Sequence, residues 1–167
     1  MIKFVGEKIV HNNRVDIIPS LSPAWYVSFE INPYSGGDWL SVVLFARNNH
    51  PSHPVPEVVM HYSRLYIYNL VNGRRNTFVS NPLTFNKYTR VEISQKPDVN
   101  NELVILYTIK INGKQVYQTV CHDARYFENI YVYKGSLWRN PAEALIKDFV
   151  YENLMCGRCF FVIILSK

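Results

Sequence analysis

Polar and apolar residues alternate along most of this chain. Trp25, Val27, Phe29 and Ile31 fall on one side of an extended backbone, and Tyr26, Ser28, Glu30 and Asn32 on the other. That is the period of two required of a half-buried strand. Leu65 and Ile67 oppose Tyr66 and Tyr68 in the same way. Further runs rich in Val, Ile, Thr, Tyr and Phe, which suit a pleated surface, span Ile9–Ile18, Trp39–Ala46, Glu57–His61, Tyr88–Gln95, Leu103–Ile111, Gln115–Val120 and Asn129–Tyr133. Turn-forming residues separate them, among them Asn72-Gly73, Asn81-Pro82, Pro97-Asp98 and Asn112-Gly113. The stretch Ile109-Lys-Ile-Asn-Gly-Lys-Gln-Val116 has the form of a type I′ hairpin, whose two central residues need positive φ. Many short strands joined by such turns predict an all-β chain folded as a two-sheet antiparallel β-sandwich or jelly roll.

One segment reads two ways. Asn140-Pro-Ala-Glu143 has the cap, the proline and the glutamate of a helix start, and Leu145, Ile146, Phe149 and Val150 follow at helical spacing. As a strand, the same stretch sets Ile146, Asp148 and Val150 against Leu145, Lys147, Phe149 and Tyr151. Local pattern leaves both readings open.

A length of 167 residues bounds the chain to a single compact domain, since domains run to roughly 100–200 residues. With 48% apolar residues, including 3 Trp, 12 Tyr and 9 Phe, the chain has enough apolar surface to offset the entropy of ordering it, which excludes wholesale disorder. The longest apolar run, Cys159–Leu165, falls well short of the ~18–20 residues of a membrane span. The formal charge of +5 is dispersed, with Arg74-Arg75 the one adjacent basic pair, so no nucleic-acid partner is expected. The start of the chain, Met1–Val10, carries Lys3, Glu7 and Lys8 and lacks the ~7–15 apolar residues of a secretory signal, so none is expected there. Three cysteines, Cys121, Cys156 and Cys159, leave at least one without an intrachain disulfide partner.

The order of several motifs resembles that of a known family. Arg90–Gln95 within Asn81–Gln95, then Tyr107-Thr-Ile-Lys-Ile-Asn-Gly-Lys114, Phe127–Tyr133 and Trp138 follow the sequence of strand, hairpin, strand and Trp-bearing turn of small concanavalin A-like, laminin-G-like β-sandwich modules. Such modules recur in secreted and cell-surface proteins, notably of cnidarians. Trp25–Pro33 looks like the family's early strand, and the likeness spans about Ile9 to Asn153. It implies that Ala144–Tyr151 is the closing strand. It also implies an extracellular or cell-surface setting and a glycan or extracellular protein as partner. Cys121 and the short connection Tyr34–Asp38 depart from the pattern, and Met155–Lys167 has no counterpart in it. We therefore expect a recognition domain at 1–153 and an apolar tail at 154–167.

Catalytic readings find little support. Glycosidases of this fold need paired carboxylates ~5–5.5 Å apart, whereas Glu30 and Glu92 are single acids on polar strand faces. Cys121-His122-Asp123 contains the residue types of a nucleophilic triad, but neighbours on a strand point to opposite faces. The pairs His50/His53 and Cys156/Cys159 are too few for a closed zinc site, and Gly37-Asp38 and Asp98–Glu102 match calcium loops poorly. Neither a metal nor a cofactor is expected, nor an enzyme.

Aromatic recognition remains. If Leu65 and Ile67 face the core, Tyr66 and Tyr68 face away from it, offering flat amphipathic surfaces to sugar rings or partner side chains. The adjoining turn would add Asn72, Arg74, Arg75 and Asn76, whose amides and guanidinium groups suit hydroxyls, carboxylates or sulfates. Cross-strand aromatic pairing alone would also account for the tyrosines. The tail has too much β propensity to stay exposed, so it either adds a strand or buries in a partner, homo-association included. The function expected is non-catalytic binding of glycans or an extracellular protein, the alternatives being a glycoside hydrolase of the same fold or a structural, adhesive module.

Overall fold

A computed structural model describes residues 6–50, 54–154 and, for the backbone alone, 160–164. Its elements are β1 Glu7–Lys8, β2 Arg14–Leu21, β3 Ala24–Pro33, β4 Leu40–Arg47, β5 Pro54–His61, β6 Arg64–Val71, β7 Arg74–Val79, β8 Thr89–Asp98, β9 Asn101–Ile111, β10 Lys114–Cys121, β11 Phe127–Lys134, β12 Ala144–Leu154 and β13 Phe160–Ile164. They form a seven-stranded sheet, ordered β1-β12-β3-β8-β9-β10 with β13 also on β12, and a six-stranded sheet ordered β2-β11-β4-β5-β6-β7. Every ladder between named strands is antiparallel. The expected all-β two-sheet sandwich is the fold observed.

The core lies where the alternation places it. From the seven-stranded sheet, Trp25, Val27, Phe29, Ile31, Ile93 and Ile109 point inward; Phe45, Val58, Met60, Leu65, Ile67 and Val132 meet them from the other. Phe45 of β4 lies 6.3 Å from Phe149 and 5.9 Å from Tyr151 of β12, ring to ring, so aromatic contacts join the two sheets directly. Each such side chain, fully buried, contributes about 1.5–3 kcal/mol.

The ambiguous segment is strand β12. Its register slips between Lys147 and Val150, and Asp148 takes a φ of 50°. This bulge moves the inward set from Ala144 and Ile146 to Phe149 and Tyr151, all buried. Helical spacing in the sequence is thus a strand whose phase shifts by one residue. The chain also breaks at Asn12, φ 54°, so Ile9–Ile18 is not one strand. Arg74–Asn76, expected in a turn, form a strand, because the two-residue turn Asn72-Gly73, with φ of 55° and 68°, returns the chain at once. Of the two fates expected for the tail, the backbone of Phe160–Ile164 takes the added strand, on Val150–Leu154 of its own chain. Cys156, Cys159 and His53 lie outside the described residues.

Between β11 and β12 the chain folds over the outer side of the six-stranded sheet. Gly135 starts this segment at φ 87°, where a Cβ would stand 2.2 Å from the Val10 carbonyl oxygen, so only glycine fits. Leu137 then packs on Leu44, Ala46 and Tyr133, sealing the half of that face nearest β11. Over β5 the outer face is still covered, with Val59 and Glu57 buried, and it opens to solvent at Tyr66 of β6 and along β7.

Asp123 ties the sheets together at one end. Its carboxylate accepts hydrogen bonds from the Asn72 and Gly73 amides, each 2.7 Å, while Asn72 donates from Nδ2 to the Val120 carbonyl at 2.9 Å and accepts from the His122 amide at 2.6 Å. Partial burial pushes the Asp123 carboxyl upward, but the donors, chiefly the Asn72 and Gly73 amides with the Cys121 thiol beside them, more than reverse this and hold it below the usual carboxylate range. A carboxyl depressed on folding stabilises the fold above its unfolded pKa and loses that contribution as pH falls through its folded one. The stability difference between the native chain and Asp123→Asn, measured by urea unfolding, should be greatest at neutral pH and shrink below about pH 4. A difference independent of pH would show that the latch carries no charge-dependent stability.

Candidate functional site

The outer face of β5, β6 and β7 gathers side chains far apart in sequence. On β6, Leu65 and Ile67 point into the core, so Tyr66 and Tyr68 point outward, the first half-buried and the second 8% exposed. Arg75 of β7 covers Tyr68, its guanidinium carbon 4.0 Å from the ring centroid. Across the ladder on the other side, Glu57 of β5 is the register partner of Tyr68.

Glu57 is only 4% exposed, an unusual position for a carboxylate on an outer face. It is held between two cations: its Oε1 accepts from Arg139 Nε at 3.2 Å, and its Oε2 lies 3.7 Å from Arg75. Arg139 comes from the segment folded over the sheet, so this ion triad anchors that segment to β5 and β7. Burial raises the Tyr68 phenol, with Arg75 opposing and Glu57 adding to the shift, so the hydroxyl stays protonated near neutrality.

The aromatic part continues toward the end of β5. Trp39 stacks on His61, with ring centroids 4.3 Å apart and planes 17° from parallel, and meets Tyr66 edge-on at 4.9 Å. Asp38 Oδ1 is 2.8 Å from His61 Nδ1. Trp39 is 37% exposed and sits at φ 53°. A bulky residue in the left-handed region costs roughly 1–2 kcal/mol, so the backbone here is strained to hold the indole against His61 and Tyr66.

Tyr66, Tyr68 and Arg75 thus share one face, but Tyr68, expected to offer its ring to a ligand, is instead buried beneath Arg75, and the other three residues expected in the site do not join them. Asn76 turns to the opposite side of β7 and donates to the Tyr117 hydroxyl at 2.6 Å, Arg74 shares that side of the strand and is exposed, and Asn72 is committed to the Asp123 latch. Sequence reasoning missed Trp39, Glu57, His61 and Arg139. Glu57 gave the one usable signal: a lone carboxylate within the apolar run Pro54–Met60 that a sheet must bury.

The other chemical candidates have structural roles. Glu30 pairs with Lys147 at 3.0 Å, and Glu92 accepts from the Tyr26 hydroxyl at 2.7 Å with Arg90 3.8 Å away. The Cys121 thiol donates to Asp123 at 3.3 Å and, mainly through burial, is pushed up to about 11, so it is not a nucleophile near neutrality. Asp98 and Asn101 cap the turn between β8 and β9 through their side-chain oxygens. Among the described residues no group of three or more His, Cys, Asp or Glu is placed to hold a metal ion.

No protein-family model and no curated protein matches the chain. Solved structures do. The native heptameric SAP-like pentraxin of Limulus polyphemus superimposes with a TM-score of 0.59 at 9% identity, over 88% of this chain and 74% of the pentraxin. Sheep galectin-11, in complex with glycerol, gives 0.50 at 10% identity over 85% and 98%. The receptor-binding domain of the botulinum neurotoxin C/D mosaic serotype gives 0.54 at 14% identity over 88% of this chain, which spans 41% of that domain. The chain shares the jelly-roll β-sandwich of these proteins.

The ion triad makes its own prediction. Arg75 or Arg139 alone still neutralises Glu57, while loss of both strands a buried carboxylate. The double variant Arg75→Ala/Arg139→Ala should therefore lose roughly 1 kcal/mol or more beyond the sum of the single losses in chemical denaturation. Additive losses would show that the cations do not share the charge.

Proposed function

We propose that this protein is a non-catalytic recognition module that binds a glycan on the outer face of β5, β6 and β7. One observation carries the reading: a strained, partly exposed tryptophan stands beside Tyr66 and His61, in line with a buried carboxylate clamped by two arginines. Sugar rings offer an apolar face to an aromatic plane and a rim of hydroxyls to hydrogen-bonding groups. Trp39 and Tyr66 supply the plane. Arg75 and Arg139, held in place by the buried Glu57 and themselves partly exposed, supply donors. Such positions cost little entropy when the ligand arrives, because the ion triad and the aromatic stack already hold them.

The pentraxin, galectin and toxin receptor-binding domain that share the fold support this reading, and so does the resemblance to laminin-G-like modules, which also supports an extracellular or cell-surface setting. A hydrolase of the same fold would require a second carboxylate across the glycosidic bond from the first. Glu57 is engaged by two cations, and Glu30 and Glu92 lie on the other sheet, each with a cation of its own.

The test is a glycan array followed by titration calorimetry on the strongest hit. Trp39→Ala and Tyr66→Ala should each weaken binding by about tenfold or more, with the circular dichroism of the fold retained. An array with no retained glycan would contradict the proposal, as would binding that survives Trp39→Ala but is lost in Tyr26→Ala on the opposite sheet.

A further inference from the structure

The two sheets do not close along every side. β7 ends the six-stranded sheet and β10 ends the seven-stranded one, each paired on one side only among the described residues. Toward the Asn72-Gly73 turn the two edges lean together through the Asn76–Tyr117 hydrogen bond and the Phe78–Tyr117 ring contact at 6.2 Å. Farther along they splay, leaving a groove of about 560 Å³ between them. Phe78, Leu83 and Ile111 give it apolar walls, and Val79 and Val116, 42% and 39% exposed, stand among its lining residues. Lys87 and Lys114 line it too, and no carboxylate does.

The edges differ in their readiness to pair. β10 carries a bulge between Gln115 and Tyr117, which interrupts its ladder and blunts it as a template. β7 runs in unbroken register with β6 from Arg74 to Val79. Its type I′ turn closes on the Val71–Arg74 pair, and the Ser80 amide donates to the Leu65 carbonyl at 2.9 Å. The narrow pairs therefore fall at Arg74, Asn76 and Phe78, which turns the backbone N–H and C=O groups of Arg75, Thr77 and Val79 away from β6. They form a regular, unpaired row beside an apolar, cationic groove.

We propose that β7 accepts an extended segment of a partner protein as an added strand, apolar along the side that faces the groove and acidic at its ends. Main-chain hydrogen bonds to Thr77 and Val79 supply the pairing, apolar side chains enter the groove over Phe78 and Leu83, and carboxylates meet Lys87 and Lys114. This surface is the rim of the sandwich, separate from the aromatic array on the sheet face.

The probe is a short acetylated peptide of alternating valine and threonine with glutamates at both ends, titrated into the isotope-labelled full chain by NMR, with its lysine-ended counterpart as control. The acidic peptide should shift amides of Thr77–Ser80 and Lys114–Val116, and the basic one should leave them in place. Thr77→Pro removes an outward donor without touching the β6–β7 ladder and should weaken binding about tenfold. Lys87→Glu/Lys114→Glu should do the same, and provides the test if the proline variant does not fold. No shift at β7 with the acidic peptide would overturn the proposal. So would equal binding of both peptides, or a dimer seen by light scattering whose interface is β7 of a second copy.

Discussion

Everything in this molecule depends on two sheets stacking their inner faces. Phe45 of one sheet against Phe149 and Tyr151 of the other, with Phe29 6.5 Å from Phe149, is the centre of that contact. Because side chains alternate strictly along a strand, burying Leu65 and Ile67 leaves no choice for Tyr66 and Tyr68. The core therefore determines which residues meet solvent or ligand, and a slip of one residue in β6 would drive the tyrosines into the core. The proposed binding surface is in this sense a consequence of the packing and not an addition to it.

The outer face so defined is then organised by two further constraints. The segment after β11 covers half of it, turning a broad sheet into a bounded surface and delivering Arg139 to Glu57. At the other end, the left-handed backbone at Trp39 keeps a large indole partly in water, stacked on one ring and edge-on to another. Burying Glu57 carries a desolvation penalty, and holding Trp39 in this conformation costs strain energy. Each is offset by local contacts: two guanidinium groups for the first, the His61 and Tyr66 rings for the second. Local costs sustained by the surrounding fold are common where a protein meets a ligand.

The strands were largely legible in the sequence because alternation is a direct image of the pleat. Where the pleat is interrupted, the image blurs: the bulge at Asp148 converts a period of two into a spacing that mimics a helix, and only the resemblance to laminin-G-like modules favoured the strand. β7 escaped notice because Arg74-Arg-Asn-Thr lies at a sheet edge, where polar residues are favoured, and so looks like a turn. Tyr66, Tyr68 and Arg75 were found since they sit within one hairpin. Their companions Trp39, Glu57, His61 and Arg139 arrive from three other parts of the chain, and no local pattern announces a contact made by folding.

The most direct test of the account is a map of NMR shift changes when the strongest array glycan is added to the labelled protein. The largest changes should cluster at the Trp39 indole, at Glu57–His61 of β5, at Tyr66–Tyr68 of β6 and at Arg75. Changes centred on the outer face of the seven-stranded sheet, around Tyr26, Glu92 and Thr108, would contradict it.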